Sequence, residues 1–544
     1  MRFLTCLLIG SCSLSRLVLA QSEPVRPPSA ATVHYEAELG SFVTSSGRTP
    51  FWLRANQFGT VPLQSAPFTG RFALYRTYAP ADTSGRRKPF DWGAGVRVVG
   101  NTGPDGAVLL PEAYVKGRWQ FLELYVGRRQ EIFGLVDTLL SSGSYAWSGN
   151  ALPIPKVQLG TPGFVNVPFT KGWLSFTGQY AHGWFGDNRL VTGSYLHQKS
   201  FYGRIGRPTS RVRFTAGFNH QVVWGGFSPF LNDQVSQGGR LPSNFRHYLY
   251  VVTGLRGRVD DPTITSFEWN RIGNHLGSLD AALELAFRGF RAMLYHQQPY
   301  DDGSPFYGTN LTDGLTGLRI QPRRTTEPAR WHLRQLTLEH LYTRSQGGAT
   351  FDLNDGRLRG RDNYFNHGQF IDGWTYRGRT IGTPFLTPAG ETAATLDLPE
   401  RLRRGIVNNR VQLLYLALNG VMAGTVNTTL RLGYSGNSGT YPAPFARELP
   451  QFSGALTLAV PVRWLGGSVL SGTVATDQGD LLPRTTGVFV AFRKAGALGR
   501  ANPGRVPAGN RTPGRATPGR ATAGTPERGN RTPDRAQPDQ QQRP

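Results

Sequence analysis

Residues 211–218 read Arg-Val-Arg-Phe-Thr-Ala-Gly-Phe, so that apolar and polar side chains alternate along the chain. One face of the extended segment carries Val212, Phe214, Ala216 and Phe218, and the other carries Arg211, Arg213, Thr215 and Gly217. A strand with this pattern presents one face to lipid and the other to an aqueous lumen. Residues 211–218 therefore predict one strand of a membrane-spanning β-barrel.

The same alternation recurs elsewhere in the chain. In residues 427–434 one face carries Thr428, Leu430, Leu432 and Tyr434, and the other carries Asn427, Thr429, Arg431 and Gly433. In residues 174–180 one face carries Leu174, Phe176 and Tyr180, and the other carries Ser175, Thr177 and Gln179. Residues 487–492 also alternate and end in an aromatic residue, as the closing strand of an outer-membrane barrel does. Strands of a soluble β-sandwich alternate too, but arginine on the polar faces and an export signal favour the barrel. We predict an all-β fold, a closed antiparallel outer-membrane β-barrel with an even number of roughly 16 to 18 strands.

The first twenty residues resemble a secretory signal peptide. Met1 and Arg2 precede an apolar run, and residues 17–20 offer a cleavage site after Ala20. A lipoprotein cleavage box at residues 9–12 is the alternative, although the apolar run before it is short. Both cysteines, Cys6 and Cys12, lie in this segment. Cleavage after Ala20 leaves no cysteine, which excludes disulfides, thiolate metal sites and cysteine nucleophiles.

The remaining chain divides into a barrel and a tail. After residue 20 no run of eighteen apolar residues occurs, and mean hydropathy is −0.34, so any membrane span has to be built from strands. We assign residues 21–492 to the barrel with short helices, one of them at residues 243–252 with Ser243 as its N-cap. Residues 493–544 are rich in Pro, Gly and Arg, and we expect a disordered basic tail.

The chain is strongly basic, with a net charge of +25. Such a charge in a cytosolic protein suggests nucleic-acid binding, but export argues against that partner, and we expect no nucleic acid. Only six of the 60 basic residues are lysine. An arginine-rich lumen or loop crown would attract acidic glycans or lipopolysaccharide phosphates. A nucleotide-composition bias would produce the same excess of arginine, so charge alone does not decide the function.

Two dense segments carry a resemblance to a known family. Residues 127–157 read GRRQEIFGLVDTLLSSGSYAWSGNALPIPKV, and residues 360–386 read GRDNYFNHGQFIDGWTYRGRTIGTPFL. With FWLRANQ at 51–57, YDDGS at 300–304 and NNRVQ at 408–412, the chain resembles the capsule assembly protein Wzi family from about Tyr35 to Phe492. The resemblance implies an 18-stranded outer-membrane barrel with minor helical segments on the periplasmic side. It also implies a lectin-like surface anchor for capsular polysaccharide without enzyme activity, and it does not cover the tail.

The two dense segments also suit sugar recognition on chemical grounds. Aromatic rings stack on the apolar faces of pyranose rings, while carboxylates and amides bind hydroxyl groups. The candidate polysaccharide-binding residues are Tyr145, Trp147, Asn150, Asp362, Asn363, Tyr364, Asn366, His367 and Trp374. For each of them, a place in an interfacial aromatic girdle or a turn is the structural alternative.

We therefore expect a non-catalytic protein that binds and anchors capsular or exopolysaccharide, and a porin-like channel for sugars or anionic solutes is the alternative. A catalytic site could combine His367 with Asn366, or His182 and His197 with neighbouring serines, but no GxSxG motif accompanies them. The pair Asp301 and Asp302 could serve glycoside hydrolysis or calcium binding, but in this Gly-Ser context it indicates a turn. We expect no cofactor and no metal ion, a monomer, and contacts with outer-membrane lipid and lipopolysaccharide.

Overall fold

Eighteen antiparallel strands form the body of the protein in a computed structural model that describes residues 33–80, 87–258, 260–301, 308–323, 330–350, 360–396, 398 and 404–498. The strands are β1 Val33–Thr44, β2 Phe68–Arg76, β3 Phe90–Asn101, β4 Ala107–Trp119, β5 Leu122–Arg128, β6 Lys156–Gly160 continued by Val165–Asn166, β7 Leu174–Gly186, β8 Ser194–Ile205, β9 Val212–Trp224, β10 Asn274–Ala286, β11 Phe290–Asp301, β12 Gly314–Pro322, β13 Trp331–Tyr342, β14 Val411–Met422, β15 Val426–Gly439, β16 Pro444–Val462, β17 Ser468–Gly479 and β18 Thr485–Leu498. The predicted signal peptide and the tail beyond residue 498 lie outside the described residues.

The first and last strands close the barrel. β1 pairs with β18 over the whole length of β1, from Val33 opposite Leu498 to Thr44 opposite Gly487. Every strand therefore has two neighbours, and no open sheet edge is left in the membrane. The predicted closed barrel and the implied count of 18 strands are confirmed. The pairing of β18 continues six residues past Phe492, because residues 493–498 still hydrogen-bond with β1.

Alternation sorts the side chains between lipid and lumen as the sequence predicts. On β9, Val212 and Phe214 lie on the outer face and are 55% and 44% exposed. Arg213 lies on the opposite face, where it forms an ion pair with Glu284 of β10. The predicted strands at 174–180, 211–218 and 427–434 correspond to β7, β9 and β15. Arg71 pairs with Glu38, and Arg97 pairs with Glu36 and Glu112, in the same way, and these carboxylates offset part of the positive charge of the lumen wall.

The two rims of the barrel differ in the length of their connections. The rim that carries Val33 and Leu498 has mostly short turns, such as 423–425 between β14 and β15. The opposite rim carries four long connections, at residues 45–67, 129–155, 225–273 and 343–410. Short turns mark the periplasmic rim of bacterial barrels, and long loops mark the extracellular rim. The four long connections are therefore extracellular.

The two α-helices of the described residues, α1 Phe51–Arg54 and α2 Phe245–Thr253, belong to these extracellular connections. The resemblance implies helical segments on the periplasmic side; among the described residues the 3-10 turn Arg463–Leu465 lies there, whereas both α-helices lie at the opposite rim, where the longest connections leave room for them. α2 confirms the predicted helix, but Asn244 rather than Ser243 is its N-cap, since Asn244 Oδ1 accepts the His247 N–H at 2.9 Å. Within the described part of the chain, no helix is long and apolar enough to cross a membrane.

Smaller elements occur in the connections. They are the strand pairs Gly226–Phe227 with Arg240–Leu241, Thr375–Tyr376 with Arg379–Thr380 and Thr387–Pro388 with Ile406–Asn408, and the 3-10 turns Ser266–Glu268, Ala389–Glu391 and Arg463–Leu465. The connection 225–273 also covers part of the outer barrel wall. Its helix α2 places the Tyr248 hydroxyl 2.7 Å from that of Tyr180, and the Tyr248 ring stacks 5.3 Å from Trp224.

The closed barrel predicts heat-modifiable migration on gels. Because β1 and β18 complete the hydrogen-bonded ring, the folded protein should resist dodecyl sulfate until it is boiled. We expect the unboiled protein to migrate differently from the boiled protein. Identical migration of the two samples, together with recovery in the soluble periplasmic fraction, would contradict a closed membrane barrel.

Candidate functional site

Three of the extracellular connections fold into the lumen. We call the described residues of 45–67, 129–155 and 343–410 the plug. Its side chains form one hydrophobic core with lumen-facing residues of the barrel wall, for example Leu413 and Tyr415 of β14. The connection 129–155 passes the middle of the barrel, because Asp137 accepts a hydrogen bond from Gln335, the fifth residue of β13 counted from the periplasmic rim. The plug therefore fills much of the lumen.

Aromatic rings form the centre of the plug. The ring centroids of Trp147 and Trp374 lie 6.0 Å apart, and those of Tyr145 and Phe365 lie 5.0 Å apart. The indole Nε1 of Trp374 donates to the carbonyl oxygen of Ala146 at 2.8 Å. The backbone comes so close here that a Cβ atom at Gly382 would lie 2.2 Å from the Tyr145 carbonyl oxygen. The two dense sequence segments thus pack against each other as one core.

The structure divides the nine predicted site residues into two groups. Five are buried in the plug, namely Tyr145, Trp147, Asn150, Tyr364 and Trp374, and four are partly exposed, namely Asp362, Asn363, Asn366 and His367. The buried aromatic residues have no face open to a polymer, because their rings pack against other plug side chains. Asn150 donates to the Thr380 carbonyl oxygen at 3.0 Å, and Asn366 donates to that of Ile406 at 2.8 Å. These amides join plug segments.

Polar residues on the lumen face hold the plug in place. The Ser142 N–H donates to the Glu339 carboxylate at 2.6 Å, and the Leu135 N–H donates to the Asp280 carboxylate at 2.9 Å. The Tyr145 N–H donates to the Gln297 side-chain oxygen at 2.9 Å. The Phe51 N–H donates to Asp477 at 2.7 Å. Each acceptor satisfies a loop backbone group that water no longer reaches. Sequence reasoning missed these residues, and their only signal is a carboxylate or amide on the polar face of a strand.

A buried ion triad connects two of the plug connections. Glu391 forms ion pairs with Arg54 and Arg379, with 3.2 Å between Arg379 Nη1 and Glu391 Oε1. Burial lowers the pKa of Arg379 to about 10. Burial alone would raise the pKa of Glu391, but the charges of Arg54 and Arg379 outweigh it and hold that pKa below its ordinary value. The triad is therefore charged at neutral pH, and its stabilising effect is lost as the pH falls through the lowered pKa of Glu391.

Replacing Glu391 with glutamine is expected to loosen the plug without opening the barrel. Two arginines would lose their buried counter-charge, which costs about 3–5 kcal/mol when one partner of a buried pair is removed. Hydrogen exchange of the backbone amides in 379–391 should accelerate, whereas the amides of β1 and β18 should not change. Unchanged exchange in 379–391 would show that the triad does not stabilise the plug.

An open cavity lies on the extracellular surface beside the plug. It has a volume of about 940 Å³ and is lined by Asp233, Gln234, Ser236, Gln237, Gly238, Thr265 and Ser266. Next to it, the exposed Phe267 ring lies 5.4 Å from the His367 ring, in edge-to-face contact. Gln369 connects the cavity wall to the plug, because its Nε2 donates to the Val235 carbonyl oxygen at 2.6 Å. No spacing pattern in the sequence indicates this set of amide, hydroxyl and aromatic groups.

His367 keeps some exposed surface, but its imidazole ring is largely desolvated, and this burial lowers the pKa of the ring to about 4, so that it is neutral at neutral pH. His367 therefore supplies no positive charge at neutral pH, and it can take part in recognition only as an aromatic or neutral polar group. The cavity beside it offers amide and hydroxyl groups as donors and acceptors, together with one carboxylate, Asp233. This chemistry suits hydroxyl-rich molecules.

Comparison with known proteins identifies the family. The model of the capsule assembly protein Wzi family matches residues 61–397. The chain belongs to this family. The chain is 14% identical to Wzi of Escherichia coli, a solved structure described as an outer membrane protein involved in group 1 capsule assembly and a carbohydrate binding β-barrel. The alignment covers 84% of this chain and 83% of that chain with a TM-score of 0.54, which shows a shared fold.

Other solved barrels are more distant from this Wzi family member. OccK5 (OpdH) of Pseudomonas aeruginosa is 9% identical, with 86% of this chain and 98% of that chain covered and a TM-score of 0.43. OpdL of the same organism is 10% identical, with 86% and 99% covered and a TM-score of 0.43. No curated protein sequence matches the chain. The Wzi family and the closed barrel place the protein in the outer membrane, as predicted.

Proposed function

We propose that this Wzi family member binds capsular or exopolysaccharide with its extracellular surface and retains the polymer at the cell without catalysing a reaction. The observation that carries the proposal is the cavity formed by residues 233–238, 265 and 266, with the exposed Phe267 beside it. Amides, hydroxyls and an aromatic ring are the groups that bind sugars. The carbohydrate binding named for the Escherichia coli relative agrees with this chemistry.

Four of the predicted residues remain partly exposed, and one of them, His367, contacts the aromatic ring beside the cavity. His367 contacts Phe267, and Asp362, Asn363 and Asn366 lie in the segment just before His367. We propose that these four residues support or extend the cavity surface, whereas the buried aromatic residues act indirectly by holding the plug. A single site of this kind gives modest affinity. A long polymer that contacts many copies of the protein is retained by effective concentration.

The catalytic alternatives gain no support from the positions of their residues. On β8, His197 lies on the outer face, against Tyr248 of α2, while Ser194 and Ser200 lie on the opposite face because strand side chains alternate. His182 of β7 also contacts Tyr248. Asp301 is buried at the end of β11, and Asp302 lies outside the described residues. A non-catalytic role therefore remains our proposal.

The test is equilibrium binding of purified barrel to the polysaccharide of its own host. We compare the wild type with a triple variant, Gln234→Ala, Ser266→Ala and Phe267→Ala, which removes three exposed side chains at the cavity. The loss of two hydrogen bonds and one stacking contact should weaken binding by about 2 kcal/mol, roughly thirtyfold in Kd. Trp464→Ala is the matched control, because Trp464 is 82% exposed in a periplasmic turn. Equal affinity of the triple variant and the control would refute the assigned surface.

A further inference from the structure

Two cavities adjoin on the outer face of the barrel wall around β12, β13 and β14. The first is an apolar groove of about 450 Å³, lined mainly by Leu294, Leu318, Leu338, Leu414, Leu432 and Phe452. The second is a recess of about 640 Å³ nearer the extracellular rim, lined mainly by His340, Tyr342, Arg344, Arg410, Gln412 and Tyr441. His340 lines both cavities. Together they form a continuous surface that is apolar at one end and basic at the other.

The junction of the cavities lies at the level of the outer membrane interface. β13 begins with Trp331, which is exposed on the outer face, and ends with Tyr342. At about 3.3 Å per residue and a tilt of roughly 40°, these two residues lie about 28 Å apart along the membrane normal. An apolar band about 25 Å tall fits between them. The groove therefore faces acyl chains, and the recess faces the headgroups of the outer leaflet.

The recess is built to present positive charge. The Arg410 guanidinium lies 4.1 Å from the centroid of the Tyr441 ring, and the Tyr441 hydroxyl donates to the Ser345 carbonyl oxygen at 2.9 Å. Arg344 forms an ion pair of 2.8 Å with the half-exposed Glu448. Its buried Nε atom has no hydrogen-bond partner in the described part of the chain.

The charges around the recess do not cancel. Arg361 donates to the Tyr441 carbonyl oxygen at 3.3 Å and adds a third guanidinium. None of the described residues that line the recess is acidic. Of the neighbouring carboxylates, Glu448 pairs with Arg344, and the buried Asp313 accepts the Ser345 N–H at 3.0 Å. This leaves Arg410 and Arg361 to face the recess. Because arginine binds phosphate through paired N–H groups, the recess suits a phosphorylated headgroup.

We propose that this surface binds an acylated, phosphorylated glycolipid of the outer leaflet, with acyl chains in the leucine-lined groove and a sugar phosphate against Arg344 and Arg410. The continuity of the two cavities at His340 and the complementary charge favour one amphiphilic molecule over a soluble acidic glycan. The site lies on the outer wall, apart from the cavity at residues 233–238. Glycolipid binding is therefore independent of the proposed polysaccharide binding.

The test measures binding of lipid A to the full-length protein in phosphatidylcholine nanodiscs by native mass spectrometry. We compare bisphosphorylated lipid A with its dephosphorylated form on the wild type, and we compare the wild type with the double variant Arg344→Ala, Arg410→Ala. Charge-assisted hydrogen bonds to phosphate should make each of these differences about tenfold or more. The matched control is Arg447→Ala, Arg484→Ala, which removes two exposed arginines that pair with Asp480 on the same rim.

Several results would overturn the proposal. The first is equal binding of the two lipid A forms to wild-type protein, a comparison that does not depend on the folding of any variant. The second is an equal loss in the double variant and the control. The third is that soluble glucosamine phosphate competes for the recess as strongly as lipid A does. This result would show that the groove contributes nothing to binding and that a soluble anionic sugar is the ligand. Leu338→Trp, which narrows the groove, should weaken lipid A binding without changing the binding of glucosamine phosphate.

Discussion

Replacing residues 131–153 with a short Gly-Ser turn is expected to convert the protein into an open channel. This segment carries Phe133, Leu140, Tyr145 and Trp147 into the plug core and passes the middle of the lumen. Barrels of 16 to 18 strands whose lumen is not filled enclose an aqueous channel. In planar bilayers the wild type should show few openings, whereas the deletion variant should show stable conductance of porin size. The new turn would join β5 to β6, which are adjacent in the barrel.

A deletion outside the lumen provides the control. Removing residues 245–253 takes away α2, which packs on the outer wall, and this change should leave the conductance of the wild type unaltered. Stable porin-size openings in the wild type itself would contradict the occluding role of the plug. They would favour the alternative function of a diffusion channel for sugars or anionic solutes.

Deleting the gene in a capsulated host should release most of the polysaccharide into the medium. On the proposed function the protein binds polymer after export, by many weak contacts at the cell surface, and takes no part in synthesis. Total polysaccharide should therefore stay the same, while the cell-bound share falls severalfold. The measurement is total sugar in the cell pellet and in the supernatant after gentle centrifugation. A fall in the total amount would instead indicate a role in synthesis or export.

The strands were predictable because the barrel imposes a simple rule on every residue of a strand. Val212 and Phe214 have to face lipid and Arg213 the lumen, so alternation alone reveals β9. The start of α2 does not follow from the sequence alone, since Ser243 and Asn244 are both good N-caps and only the hydrogen bond to His247 distinguishes them. The side of the membrane on which the helices lie depends on which connections between strands are long. The lengths of the connections are known only when the bounds of all 18 strands are known.

The site was predictable only in part. The segments at 127–157 and 360–386 do form one unit, but an aromatic residue that stacks on a sugar has the same local sequence as one that packs on another ring. Burial of Tyr145, Tyr364 and Trp374 depends on how the plug connections meet inside the lumen, which no local pattern encodes. Gln234 and Thr265 line the surface cavity because their connection folds back beside Gln369, and their spacing in the sequence gives no sign of it.

The most direct measurement is the cell-bound share of polysaccharide in the deletion strain complemented with the variant Gln234→Ala, Ser266→Ala, Phe267→Ala. We expect this variant to reach the outer membrane with normal heat-modifiable migration and yet to leave most of the polymer in the medium, whereas Trp464→Ala should restore wild-type retention. If the triple variant, folded and present at the wild-type level, restores full retention, then the extracellular cavity does not hold the polysaccharide.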